Sequence, residues 1–358
     1  MSWTKRQRIE AVFSGEQPDR VPIYDILVND AAVELYSGEK LDVEGGYKTV
    51  CKAISNCLDM TRDIFGPNTV SDGVDRRGNR WHKERWTHWW VSRYFDNDRD
   101  KLIEYIKNDI DVLRASKYDK GSISAHRNRC SEVQHLIGDT VDIFVCVNIA
   151  VNYAFNVIGM MNFCEIMYDE PDLVDVWLKA ASDAEYRRIE ALADRRDCPV
   201  SLIYADVAHK SNLIFPFAYL EKYLIPDVAA VCDLLHSKGM KVIFHSDGNI
   251  MKILPQLKKA GVDGLNPLEI MAGMDIKAIR ETYGRGFIIC GGMDVSSLMP
   301  FGTKDEVIHA TKNLLRLAGP DYGLCIGSST ELGDDIPIEN IKAMFETVWE
   351  YGRYPIQL

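Results

Sequence analysis

The sequence predicts an α/β protein of the (β/α)8 TIM-barrel class, with an N-terminal helical segment and a β-hairpin inserted near residues 65–95. Three observations lead there. Short, nearly continuous runs of Val, Ile, Leu and Phe recur along the chain, and longer amphipathic patterns separate them. No Gly-rich dinucleotide fingerprint follows the first run, which places a doubly wound sheet second.

Each apolar run is short and lacks polar alternation, as expected for a strand covered on both faces of a parallel sheet. The runs are VPIY (21–24), VDIFVCVNIA (141–150), VSLIYADVA (200–208), KVIFHSDG (241–248), VDGLNPLE (262–269), GFIICGGMD (286–294) and YGLCIGSS (322–329). One less obvious strand between the first two completes eight. The helical patterns between them keep apolar residues at three- and four-residue steps. The stretch 171–196 opens on a proline, and the pattern beginning YLEKYL stops at Lys238-Gly239. ILPQLKKAG (253–261) and DIKAIRETYG (275–284) end on glycine in the same way. Residues 65–95 break the rhythm. They alternate polar and apolar about Arg77-Gly78-Asn79 and read as a hairpin in an early βα loop. With no linker, repeat or low-complexity stretch, residues 1–358 form one domain.

Composition narrows the function. The chain has 358 residues, 46% hydrophobic, with 7 Trp, 16 Tyr and 12 Phe, which excludes a disordered chain. Its 42 Lys+Arg against 53 Asp+Glu leave a formal charge of −11 and argue against nucleic acid held by phosphate neutralisation. The opening MSWTKRQRIEAVF has no signal core, and no apolar run approaches the roughly 20 residues that cross a bilayer. A cytoplasmic enzyme is therefore expected, with no membrane association. Nine cysteines form no C-x-x-C pair and read as buried thiols, Cys146, Cys290 and Cys325 inside strands.

Catalytic groups of a barrel project from the C-terminal ends of its strands. The polar residues there are Asp25, Asn148 with Asn152, Asp206 with His209, His245 with Asp247, Glu269, Asp294, and Ser328 with Ser329. His245 and Asp247 stand at i and i+2, on one face of a strand, and present an imidazole and a carboxylate to one point. That pair suits a metal or an oriented proton-transfer histidine. Glu269 ends the next strand and is expected to complete a His245, Asp247, Glu269 metal set. Asp247-Gly248-Asn249 also reads as a plain βα turn. Gly291 and Gly292 permit close backbone approach to a bound group, or a tight turn. Trp86, Trp89 and Trp90 either line an apolar pocket or fix the insertion to the barrel, while His82 and His88 read as surface residues.

Several segments carry a resemblance: RQRIEAVFSGEQPDRVPI, YADVAHKSNLIFPFAYLEKYLIPD, HSKGMKVIFHSDGNI, AGVDGLNPLE, GGMDV and GSSTELGDDIPIENIKAM. In order and over nearly the full length, they resemble the uroporphyrinogen decarboxylase superfamily of (β/α)8 barrels. Its decarboxylases carry an Arg-Gln-Ala-Gly-Arg-Tyr stretch after the first strand that grips substrate carboxylates. Here residues 24–30 read YDILVND, with no arginine and with acids at Asp25 and Asp30. The chain looks more like the corrinoid-linked methyltransferases. Those acting on coenzyme M hold zinc with His-x-Cys and a later Cys, and the matching positions here are His245-x-Asp247 and Ser328 or Ser329. What the resemblance implies is a homodimeric methyltransferase of the O-demethylase type. It would move a methyl group from a small methoxyaromatic-type donor to a separate corrinoid protein, with zinc as the metal. Asp25, Asn148, Asp206, His245 and Glu269 would be catalytic; Gly291, Gly292, Ser328 and Ser329 would seat the cofactor. A metal-free decarboxylase and a non-catalytic corrinoid- or tetrapyrrole-binding barrel are the alternatives.

Overall fold

The computed structural model describes residues 3–358. Six parallel strands form a continuous sheet in the order Leu324–Ser328, Ile288–Met293, Gly264–Asn266, Lys241–His245, Val200–Tyr204 and Phe144–Cys146. The third barrel strand is split, with Val141–Asp142 pairing to the short second strand, Met60–Thr61. Closure falls to the first strand, through single parallel bridges Ile23 to Ile326 and Tyr24 to Met60. The eight-strand barrel is thus complete, and the less obvious strand is Met60–Thr61.

Alternation along the strands makes two cores. Val242, Phe244, Leu265, Ile289, Leu324 and Ile326 face the helices. Tyr24, Met60, Val200, Leu202, Ile243, Cys290 and Cys325 fill the barrel, where Ile9, Val12 and Phe13 of the helix Lys5–Ser14 join them. Thr4 and Gln7 start that helix with reciprocal side-chain-to-backbone bonds. All three strand cysteines are buried, as expected for small apolar side chains.

The insertion departs from the predicted hairpin. It is a three-stranded antiparallel sheet of Ser71–Val74, Arg80–Lys83 and His88–Ser92. The first turn is the Gly78 turn; the second is closed by a bond from Glu84 N–H to the Thr87 carbonyl and contains no Gly, Asn or Pro. Trp86 donates its indole N–H to Asp30, which Arg85 also grips at 2.6 Å, so this part of the insertion is fixed to the barrel. Asp30 is consequently a tether and not a mouth carboxylate. Trp89 and Trp90 are exposed.

Closure requires a bare backbone at Gly327. A Cβ built there would lie 1.8 Å from the Tyr24 carbonyl oxygen, a backbone atom that cannot yield without opening the wall. Gly327→Ala is expected to destabilise the chain by about 3 kcal/mol or more, seen as a lower thermal midpoint. Gly286→Ala, where nothing lies within 4 Å, is the matched control and should leave the midpoint in place.

Candidate functional site

Inward alternation decides which side chains reach the mouth. Ile243 faces the barrel, so His245 does too, and Leu202 likewise brings Tyr204 inward. Asp206 and Asp247 follow their strands at the same two-residue step. Among the described residues, Asp206, His245 and Asp247 form the group whose ligand atoms all lie within 4.8 Å of one another. His245 Nε2 is 3.5 Å from Asp206 Oδ1 and 3.9 Å from Asp247 Oδ1.

Each member is held by neighbours. His245 Nδ1 is 2.8 Å from Asn266 Oδ1, which accepts its proton and leaves Nε2 with the lone pair. The imidazole stacks on Tyr204 at 4.7 Å between ring centres. Asp206 accepts the Tyr204 hydroxyl at 2.6 Å and the Asp247 N–H at 3.0 Å, while its own N–H donates to Asn152. Burial, and then the Arg62 guanidinium, hold His245 well below the usual imidazole range. Burial followed by the charges of Asp206 and Glu269 pushes Asp247 up to about 7. Its buried Oδ1 accepts no hydrogen bond from the protein.

Tyr204, His245 and Asp247 open onto a cleft of about 350 Å³ that is also lined by Ile26, Arg62, Phe65, Val147 and Glu331. Arg62 follows the second strand and is buried. Its Nε donates to the Tyr24 hydroxyl at 3.0 Å, its Nη1 to Asp63 at 2.5 Å, and its guanidinium lies 5.6 Å from the Tyr204 ring centre. Arg62, Tyr204, Asn266 and Glu331 were not among the sequence candidates. Asn266 could have been, since it ends an apolar run; Arg62 could not, because its strand has two residues.

Several candidates go elsewhere. Glu269, expected as the third ligand, lies outside the group: its Oε2 accepts the Gly248 N–H at 2.8 Å, and Asp206 takes its place. Asp25 alternates outward past Tyr24 and meets Ser328, whose N–H and hydroxyl it accepts at 2.8 and 2.6 Å. Burial pushes Asp25 up to about 7 despite these bonds. Ser329 accepts the Val295 N–H and donates its own N–H to the Met293 carbonyl. Both serines thus make hydrogen bonds within the barrel wall. Gly291 and Gly292 are buried strand residues at φ 103° and 101°; Cβ atoms there would meet the Ser328 carbonyl at 2.8 Å and Leu314 at 2.9 Å. Their bareness serves packing of the wall. Asn148 makes no hydrogen bond in the cluster, and Asn152 positions Asp206 instead. His209 is exposed, and Asp294 caps the helix Leu298–Phe301. None of the four insertion tryptophans, Trp81, Trp86, Trp89 and Trp90, lines the cleft.

Fold and site together define a (β/α)8 barrel whose mouth gathers one imidazole and two carboxylates. The chain belongs to the uroporphyrinogen decarboxylase (URO-D) family, whose model matches residues 99–351. Asp25 and Arg62 precede that span. The methylated-thiol–coenzyme M methyltransferase of Methanosarcina mazei is 26% identical over 192 residues, 53% of this chain and 48% of that protein. The methylcobamide:CoM methyltransferase MtbA of Methanosarcina acetivorans is 21% identical over 186 residues, 52% of this chain and 51% of that protein. The chain thus matches about half the length of these curated relatives. A solved methyltransferase from Methanosarcina mazei shares the fold, with TM-score 0.65 and 16% identity, covering 98% of this chain and 99% of that one. Among the described residues, no helix is long and apolar enough to cross a membrane.

A further enclosed carboxyl lies outside this site. Asp142 faces a cavity of about 400 Å³ beside the helix Lys120–Ile137, with His126, Arg129 and Cys130. Burial, then the Asp63 charge, pushes it up to about 7. Between the unfolded value near 4 and about 7, the folded chain keeps a proton that the unfolded chain has lost. Stability from this group therefore falls as pH rises through that window. Asp142→Asn removes the ionisation penalty, and thermal melts should show the variant more stable than wild type at pH 8 by up to about 4 kcal/mol, with no difference near pH 4.

Proposed function

We propose that this chain is a methyltransferase of the O-demethylase type. It takes a methyl group from a small methylated donor, methoxyaromatic in kind, and delivers it to the cobalt of a corrinoid carried by a separate protein. The carrying observation is the Asp206, His245, Asp247 group, of which His245 and Asp247 line a cleft large enough for a small donor. The curated relatives support methyl transfer by what their names state.

The residues fit a divalent cation, zinc in the proposal. Nε2 of His245 offers its lone pair because Nδ1 is committed to Asn266, and Asp247 Oδ1 is buried without a hydrogen-bond donor. One nitrogen and two carboxylates form a harder set than a His and two thiolates, suited to a donor oxygen more than to a thiol. Bound there, the cation would supply Lewis acidity to stabilise negative charge developing on the leaving oxygen.

The chain's own residues do the rest. Asn266 fixes the imidazole tautomer, and Asn152, Tyr204 and the Asp247 N–H fix the Asp206 carboxylate. Ile26, Phe65, Val145 and Val147 give the donor an apolar wall that displaces water. The exposed Val70, Val74, Trp89, Trp90 and Val91 of the insertion support docking of the corrinoid protein over the mouth. The proposal includes a cytoplasmic homodimer.

Elemental analysis of purified protein should find about one zinc per chain, lost in His245→Ala together with at least about a hundredfold of methyl transfer. Asn266→Ala should retain the ligands and weaken metal affinity by about 10–100-fold. A wild-type chain with no stoichiometric metal overturns the metal-assisted form. Absence of demethylation across methoxyaromatic donors, with a reduced corrinoid protein present, overturns the donor class.

A further inference from the structure

The cleft carries one buried cation that the metal group does not use. Arg62 is 5% exposed, and three constraints lock its orientation: Tyr24 on Nε, Asp63 on Nη1, and the Tyr204 ring below. Its Nη2 makes no hydrogen bond to the described protein and belongs to a side chain lining the cleft. A guanidinium held in place through Nε and Nη1, with the N–H donors of Nη2 unspent on the protein and the side chain lining the cleft, suits an anionic oxygen better than a neutral one.

We propose that Arg62 anchors a carboxylate on the methyl donor, so that the substrate class is an anionic methoxybenzoate and not a neutral ether or a methylated ammonium. This rests on the reading of the cleft as the donor site. The Tyr204 ring links the two ends: Arg62 lies 5.6 Å from its centre and His245 stacks at 4.7 Å. A flat donor lying along the apolar wall would place its carboxylate at Arg62 and its methoxy oxygen toward His245 and its carboxylates.

Two nearby acids bear on the charge balance. Asp63 is already paired with Nη1. Glu331 lines the same cleft; burial raises its carboxyl, and the Arg62 charge opposes that rise. An ammonium donor would want the Tyr204 face, the electron-rich surface of the cleft. Arg62 and His245 already pack on that ring.

Calorimetry with three unmethylated probes of one shape tests this without turnover: benzoate, benzyl alcohol and benzylammonium. Wild type should bind benzoate at least tenfold more tightly than benzyl alcohol, and benzylammonium least. Arg62→Met should bring the benzoate to benzyl alcohol ratio near one. Arg62→Lys keeps the charge without the planar fork and should retain part of the preference; it carries the test if the Met variant fails to fold. Equal affinities in wild type, or tightest binding of benzylammonium, overturn the proposal. Turnover separates the two readings. If 4-methoxybenzoate and 4-methoxybenzyl alcohol are demethylated with equal kcat/KM, methyl transfer stands and the Arg62 anchor falls. A benzoate preference with no demethylation of either leaves the anchor standing and removes the methyl-transfer reading.

Discussion

The orientation of Arg62 and the surroundings of Asn266 depend on how the first strand enters the barrel. That strand has no extended ladder; it is held by single bridges at Ile23 and Tyr24, and by the approach of its Tyr24 carbonyl to Gly327. Tyr24 then does two things at once. Its backbone closes the wall, and its hydroxyl accepts Arg62 Nε at 3.0 Å while standing 3.5 Å from Asn266 Oδ1, the acceptor that orients His245. A path of polar contacts therefore runs from the second strand through the first to the sixth and fifth. With closure disturbed, Arg62 loses its anchor and Asn266 loses a neighbour, although both lie far from residue 327 in sequence. On the outer side of the same seam, Asp25 accepts two bonds from Ser328 and joins the eighth strand to the first. Carboxylates at strand ends thus serve two purposes in this fold, one at the mouth and one in the wall.

Much of this was legible in the sequence. Seven apolar runs marked seven strands because parallel strands buried on both faces carry no polar interruption. The His245-x-Asp247 pair was legible because the two-residue strand period needs no knowledge of tertiary structure. Asp206 and Glu269 were equally placed as partners, each ending a strand adjacent to that of His245. What separated them was a local event: Gly248 offers its N–H to Glu269, and the Asp247 N–H turns to Asp206. A choice between two hydrogen bonds in one turn leaves no trace in periodicity. Met60–Thr61 was hidden for another reason, since two residues cannot display a pattern, and Arg62 was hidden with it. The second turn of the insertion was missed because Glu84 to Thr87 carries none of the residues that mark turns. Gly291 and Gly292 were legible as bare backbone, but bareness alone does not tell a ligand seat from a crowded wall.

The acidic excess of the chain takes a different meaning at the mouth than over the surface. Burial first, and then the charges of Asp206 and Glu269, push Asp247 up to about 7. Such a pair can be relieved by a proton or by a cation, and the two compete for the same oxygen. His245 follows the opposite logic: burial and Arg62 keep it neutral, the state in which Nε2 can donate a lone pair. Arg62 therefore acts on the cluster as well as on the cleft. Its charge disfavours an imidazolium and partly offsets the carboxylates, so the mouth is an ordered set of opposed charges and not a uniform acidic patch. A polyanion with many carboxylates would find one guanidinium facing at least three acids, whereas a donor with a single carboxylate would find a matched partner. The absence of arginine from residues 24–30 and the presence of Arg62 after the second strand are two parts of one argument, which favours a small, singly charged substrate over a large, highly charged one.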